Sequence, residues 1–356
     1  MRDNKGGRSR STTRDTKRDV TYLLVGNPTA QSGKNAERIS RARKLLEAGG
    51  EPVDVFPTLP NGETIPKLAE LLANLNHACV ISMGGDGTFR EVGAALLESG
   101  AAENIAMGMI PTGTANDQGR SFGLEAREEA LAKNVAVILA GNETRLDAGK
   151  IHASGEGHSK RQKAVFFDSA GWGLSARVLA SRNEDRKVVA EMGPLKEIYR
   201  DELVYVGAFL KTFLDSYVVD DKFAVDITAD GKEIHLDGLT DLIVKATRIY
   251  AGAWVFDRTS AHDDGMFEVV PFRGKRDWAS KAIVDLQGNP LTEEMLNAVG
   301  IEHSKPFRAS RISMKMREPK DGAKLAAQID GEEFFAGDLV EIEVVARAIR
   351  LIVPRA

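Results

Sequence analysis

The chain has 356 residues and a formal net charge of −4, with 42% hydrophobic and 28% charged residues. That length suffices for more than one domain with real cores, the charge balance excludes a general polyanion binder and with it a nucleic-acid partner, and no apolar run approaches the about 18 residues that a membrane-spanning helix needs. The single cysteine, Cys79 in "ACVISM", excludes an internal disulfide framework, reads as a small core residue and points to a reducing, cytoplasmic setting.

The N-terminal residues 1–18 carry seven Lys or Arg against two Asp and almost nothing apolar. They predict a disordered basic tail, read first as a solvated segment and second as a polybasic arm for anionic lipid head groups. From residue 20 onward "VTYLLVG" predicts a strand, followed by a helix from about Lys34 to Ala48. "PVDVF" predicts a strand and "ETIPKLAELLANL" a helix with an early Pro66. "ACVISM" and "TFREVGAALLES" give a third strand and helix; "IAMGMIP" and "EAREEALAKNVAVILAG" give a fourth pair. Short β-rich runs alternating with helices predict an α/β doubly wound parallel sheet over about 19–145.

After about residue 144 the pattern changes to successive strands, several of alternating polarity: "TRLDAGKIHAS", "QKAVFFDSAGWG", "FAVDITADGKEIHL", "TDLIVKATRIYAGAWVF", "GMFEVVPFRG", "RASRISMKMRE", "KLAAQIDGEEF" and "DLVEIEVVARAIRLIVP". "ADGK" and "IDGEE" predict hairpin turns. Helices are expected at 195–215, broadly apolar, and at 276–287. The expectation for 146–346 is an antiparallel β-rich, sandwich-like second domain.

"SMGGDGTFREV" (82–92) places Gly84, Gly85 and Gly87 between a strand and a helix. Glycine lets backbone N–H groups approach an anion, and a helix N-terminus favours negative charge. Thr88 is placed to cap the helix. Asp86 stands among anion-attracting groups, which suits a carboxylate that holds Mg²⁺ or accepts a proton from an attacking hydroxyl; alone it would read as a turn residue. Two more polar loops follow strands: "GNPTAQSGKN" (26–35) and "IPTGTANDQGRSFGL" (110–124). The first is no Walker loop, because Gly26 and Gly33 are too far apart and Asn35 stands where Ser or Thr should be. In a parallel sheet all three fall on the carboxyl edge of the strands, where ligands bind. Gly113, Thr114, Asn116 and Asp117 offer donors, a hydroxyl, an amide and a carboxylate there. The six histidines are scattered without metal-ligand spacing.

At these residues the chain resembles the diacylglycerol kinase catalytic-domain superfamily, through "NPTAQSGK", "GGDGTFREV", "PTGTANDQGRSFGL", "AGWG" (170–173), "DDGMFEVV" (263–270) and "IDGEE" (329–333), in family order. The resemblance implies a nucleotide-binding domain (19–145 plus about 347–356), a lipid-substrate domain (146–346) and a cleft between them. It implies transfer of the γ-phosphoryl group of ATP, with Mg²⁺, to a lipid hydroxyl of a diacylglycerol, sphingoid base or ceramide. Thr58 and Thr114 match nucleotide-contacting threonines, and Gly84 to Arg90 the nucleotide loop. Asn27, Ser32 and Gly33 are expected to line the nucleotide pocket, with Lys34 adding positive charge. Asp330 and Glu332 match the acidic pair from which a proton acceptor is usually assigned, whereas the sphingosine kinase branch places the base at Asp86; the choice stays open. Asp264, with the carbonyls of Ala261 and Met266, matches a structural magnesium site. Arg90 departs from the usual Asn, "NDQGR" from the usual aromatic and small pair, and Asp168 stands where Asn is common and reads as a turn residue at a strand end. The resemblance further implies a cytoplasmic enzyme docking peripherally at the inner membrane face; exposed strand edges would permit a homodimer. The rival readings are an NAD kinase, which shares the "GGDGT" turn, and a non-catalytic nucleotide- or lipid-binding protein.

Overall fold

The computed structural model describes residues 22–50, 52–74, 78–113, 116–155, 161–177, 179, 222–248, 250, 260–274, 305–317 and 325–355. The basic tail and the helices expected at 195–215 and 276–287 lie outside them.

The first half alternates as its sequence demands: β1 (Tyr22–Gly26), α1 (Lys34–Glu47), β2 (Val53–Pro57), α2 (Thr64–Asn74), β3 (Cys79–Gly84), α3 (Asp86–Glu98), β4 (Ala106–Pro111), a short α4 (Asp117–Ser121) and α5 (Leu131–Ala140). The strands pair in parallel in the order β2-β1-β3-β4. β1, β3 and β4 are buried on both faces because both are covered, whereas β2, at the edge, is largely exposed. Leu23 and Val25 pack with Leu68, Leu72, Val92 and Leu96 of α2 and α3. Leu24, between them, turns the opposite way, to Ile39, Leu46 and Ile138 of α1 and α5. Cys79 is buried in this second layer, and burial pushes its thiol up to about 12.

The remainder is β5 (Glu143–Ser154), β6 (Arg161–Phe166), β7 (Ser169–Gly173), β8 (Phe223–Ala229), β9 (Lys232–Leu239), β10 (Asp241–Lys245), β11 (Phe267–Phe272), β12 (Phe307–Ala309), β13 (Arg311–Arg317), β14 (Ala327–Ile329), β15 (Glu332–Phe334) and β16 (Leu339–Ile352). The long β16 joins the two halves. Its end pairs in parallel with β4 (Leu351 with Met107), and its earlier residues pair antiparallel with β5 and β13. One sheet thus continues from parallel into antiparallel, through β13, β8 and β9. A second, fully antiparallel sheet runs β12-β11-β10-β7-β14-β15. Trp172, Val244, Phe267 and Ala327 of the second sheet share a core with Phe223, Val225, Met314 and Ile342 of the first, which is the sandwich expected.

Both Asp-Gly turns are hairpins with paired positive φ: 47° and 84° at Asp230–Gly231, 45° and 76° at Asp330–Gly331. At Arg347, φ is 54° where the β5–β16 register shifts. Buried Asp147 braces that bulge, accepting the N–H groups of Arg347 and Gly265, both at 2.6 Å.

Three expectations need correction. "QKAVFFDSAGWG" is two strands in different sheets, broken at Phe167–Asp168. The helix expected over 125–141 begins with a 3₁₀ turn, Glu128–Ala130, and becomes α-helical only from Leu131. Thr88 does not cap α3: the helix starts at Asp86 with Gly85 as N-cap and no side-chain cap, and the Thr88 side chain fills the space beside Gly84.

If β16 completes the parallel core, Leu351→Ala, at a fully buried position, should destabilise the chain by about 2–5 kcal/mol. Urea unfolding measures this, and a shift near zero would mean that the strand only decorates the sheet edge.

Candidate functional site

At the carboxyl edge of the parallel strands the loops after β1, β2, β3 and β4 meet. The Thr58 amide donates to Gly26 O at 3.1 Å, and the Thr112 amide to Gly84 O at 2.8 Å, tying neighbouring loops together. Gly85 and Gly113 touch backbone to backbone; a Cβ on Gly113 would overlap the Cα of Gly85. That contact explains the glycines more directly than ligand access does.

Several expected ligands of this edge also shape their own loops. Asn27 Oδ1 accepts from the N–H and hydroxyl of Thr29, at 2.9 and 2.8 Å. Asn116, in left-handed conformation, exchanges two side-chain hydrogen bonds with the Gly113 backbone, at 2.8 and 2.6 Å. Gly33 (φ 87°) is the N-cap of α1, has open space around it and is followed by exposed Lys34. Neither α1 nor α3 has a side-chain cap at its N-terminus. First-turn N–H groups need a partner, and an anion supplies one. Thr114 and the side chain of Ser32 lie outside the described residues.

Asp86 opens α3, and the amide of Gln118 at the start of α4 donates to its Oδ1 at 3.2 Å; the Asp117 amide is a second donor. Asp117 itself is buried beside it. Asp86 keeps some surface open to solvent, yet its carboxyl group is largely enclosed. Burial, then the charge of Asp168, pushes it up to about 6.

The acidic pair divides into two unlike residues. Asp330, at 4% exposure, accepts from three successive backbone amides: Phe167 at 2.9 Å, Asp168 at 2.8 Å and Ser169 at 3.0 Å. Burial and Asp168 raise it to about 7, against the opposing pull of Arg90 and these amides. Two residues on, Glu332 lies largely in solvent and pairs with the Arg90 guanidinium. A Cβ on Gly87 would lie 2.5 Å from Glu332 Oε1, so the β14–β15 hairpin rests on the first turn of α3. Residues far apart in sequence thus meet at one point: 84–90, 113 with 116–118, 167–169 and 330–332.

Asp168 sits at the bend expected of a turn residue, but it is buried. It accepts from the Thr247 hydroxyl at 2.5 Å and the Ser169 hydroxyl at 3.1 Å. Burial raises its pKa, while the buried Lys245 ammonium and these hydroxyls oppose the rise. The signal for Asp168 and Lys245 was available: single charges inside the apolar runs "VFFDSAGW" and "LIVKAT" are rarely solvated surface.

The loop expected to hold a structural magnesium is arranged otherwise. Asp264 Oδ1 accepts from the Met266 amide at 3.1 Å, and Oδ2 pairs with Arg308. Arg308 also reaches buried Glu268 at 3.2 Å. Among the described residues no group of three or more His, Cys, Asp or Glu could hold a metal ion. With its carboxylate committed to a guanidinium, the set Ala261, Asp264 and Met266 does not fit a cation as it stands.

Three amides on one buried carboxylate make Asp330 a structural brace. Asp330→Asn turns an NH₂ toward the Phe167 amide and should cost about 1–3 kcal/mol in urea unfolding, with Asp330→Ala costing more. A residue serving only as a proton acceptor would leave the unfolding midpoint unchanged.

Residues 21–151 match the model of the diacylglycerol kinase catalytic domain. Similar curated proteins include a Klebsiella pneumoniae protein named probable lipid kinase YegS-like, 30% identical over 155 residues, covering 44% of this chain and 47% of the relative. The Escherichia coli probable lipid kinase YegS is 30% identical over 169 residues, covering 47% and 52%. The matched region thus spans about half the length of these relatives. A crystal structure of a diacylglycerol kinase from Bacillus anthracis superposes with a TM-score of 0.66 at 20% identity, covering 94% of this chain and 97% of that one, so the fold is shared almost throughout. Within that fold, the resemblance to the diacylglycerol kinase catalytic domain is confined to the first half of the chain, residues 21–151.

Proposed function

We propose that the chain is an ATP-dependent lipid kinase that transfers the γ-phosphoryl group to a lipid hydroxyl, of a diacylglycerol, sphingoid base or ceramide. The observation that carries this reading is Asp86, an enclosed carboxylate at the uncapped N-terminus of α3, facing the start of α4. Phosphoryl transfer needs positioning and charge neutralisation more than covalent chemistry. The first-turn amides from Gly85 to Thr88, with Gly33 and Lys34 at the second uncapped helix, suit the phosphates. Thr58 and Asn116 hold the surrounding loops in place.

Magnesium, entering with the nucleotide, would supply charge neutralisation, with Asp117 as the carboxylate of these loops able to face it. Of the three acceptors left open by the sequence, Asp86 suits the proton best. Its pKa near 6 leaves it ionised at neutral pH yet basic enough to take a proton. Asp330 is held by three amides, and Glu332 is paired with the Arg90 guanidinium. The remaining residues, 146–346, would carry the lipid, and β16 returns to the 19–145 unit as the proposed division requires. Among the described residues no helix is long and apolar enough to cross a membrane, which is compatible with peripheral docking at a membrane surface.

The test is transfer of labelled γ-phosphate from ATP to a lipid panel in mixed micelles, with NAD alongside. Labelled lipid is expected; label on NAD alone would make the protein an NAD kinase, and ATP binding without transfer would make it a binding protein. Asp86→Asn should lower kcat about 10²- to 10⁴-fold, with thermal unfolding unchanged; an active, folded variant would refute the assignment. The pH profile follows from the sign of the shift. Asp86 must be ionised to accept a proton, so kcat/KM should fall as pH drops through about 6. Asp168→Asn removes a repelling charge and should move that limb to lower pH. A limb indifferent to Asp168 would place the titrating group elsewhere.

A further inference from the structure

Arg90 follows Asp86 by four residues, so both leave the same face of α3. Its side chain is 14% exposed and held on a helix packed into the core, whereas its partner Glu332 is 52% exposed, on a short hairpin. The guanidinium donates through Nη2 to Glu332 Oε2, and its buried Nε has no partner among the described residues. A half-solvated carboxylate gains little from such a pair, so Glu332 alone does not account for a cation enclosed one turn from Asp86. Any anion drawn to the first turn of α3 meets a fixed positive charge and a movable counterion.

We infer that Arg90 reads the terminal phosphate of a nucleoside triphosphate, and that Glu332 occupies the guanidinium until that phosphate displaces it. This rests on the reading that the N-terminus of α3 receives nucleotide phosphates. A guanidinium has donors enough to bind a phosphate oxygen in the forked manner that lysine cannot reproduce. The orphaned Nε would then be satisfied, and Glu332 would turn to water at small cost. The device separates ATP from ADP, because only the triphosphate extends to the arginine. It also ties the hairpin to the nucleotide state, since the contact between Glu332 and α3 loosens when the donor arrives.

The test is calorimetric titration of the full chain with a non-hydrolysable ATP analogue and with ADP, both with Mg²⁺. Arg90→Gln should weaken the analogue about 10- to 100-fold and leave ADP within about twofold. Glu332→Ala, which removes the competitor, should tighten the analogue about threefold. A merely structural ion pair would leave the analogue-to-ADP ratio of both variants unchanged, which overturns the proposal, as does weaker analogue binding by Glu332→Ala. If Arg90→Gln does not fold, Glu332→Ala decides, because its side chain is half in solvent. Arg90-dependent analogue binding without phosphoryl transfer to any acceptor would uphold this inference and sink the kinase reading. A wild-type chain that binds neither nucleotide would overturn both.

Discussion

The Asp330 carboxylate is the constraint on which the site depends. It gathers the amides of Phe167, Asp168 and Ser169 where β6 leaves one sheet and β7 enters the other. Three buried amides in a row would otherwise lack partners, and each such loss is costly. The left-handed conformation at Asp330 comes from its place in an Asp-Gly turn. The same turn that closes the hairpin therefore aims the carboxylate at the sheet junction. Two consequences follow from one residue: Asp168 is fixed at the junction, and Glu332 is delivered to the first turn of α3.

The electrostatics follow from this geometry. Asp86, Asp168 and Asp330 come from three distant segments; burial raises all three, and the charge of Asp168 raises Asp86 and Asp330 further. Lys245 and Arg90 are the cations that offset them, one from the second sheet and one from α3. Neighbouring carboxylates in a partly enclosed site cannot all be equally acidic. Asp86 differs from the other two in keeping some residue surface open to solvent, with the Gln118 amide on its Oδ1 at 3.2 Å. The others are absorbed into the fold. Under the proposed function, this division leaves one carboxylate for the chemistry while the fold uses the rest.

The parallel half of the fold was legible because its signals are local. Apolar strands, periodic helices and polar glycine loops repeat in order, and their edge locates the site without any tertiary information. The hairpins at Asp230–Gly231 and Asp330–Gly331 were equally legible, since Asp-Gly dictates its own turn. What was hidden is non-local. Nothing in "FFDSAGWG" marks where one sheet ends, because the break is made by a carboxylate more than a hundred residues later. Thr88 has the composition of a cap, but its neighbour Gly84 leaves a space that its side chain fills instead. The Arg90–Glu332 and Asp264–Arg308 pairs likewise join segments that no sequence window contains.

The central claim is that nucleotide phosphates sit on the edge formed by the β1, β3 and β4 loops. Amide hydrogen exchange with and without ATP and Mg²⁺ tests it most directly. The account predicts slowed exchange in segments 26–35, 84–90 and 112–118, with Asp86 at their centre. Protection confined to other parts of the chain, or none on these three loops at saturating ATP, would contradict it.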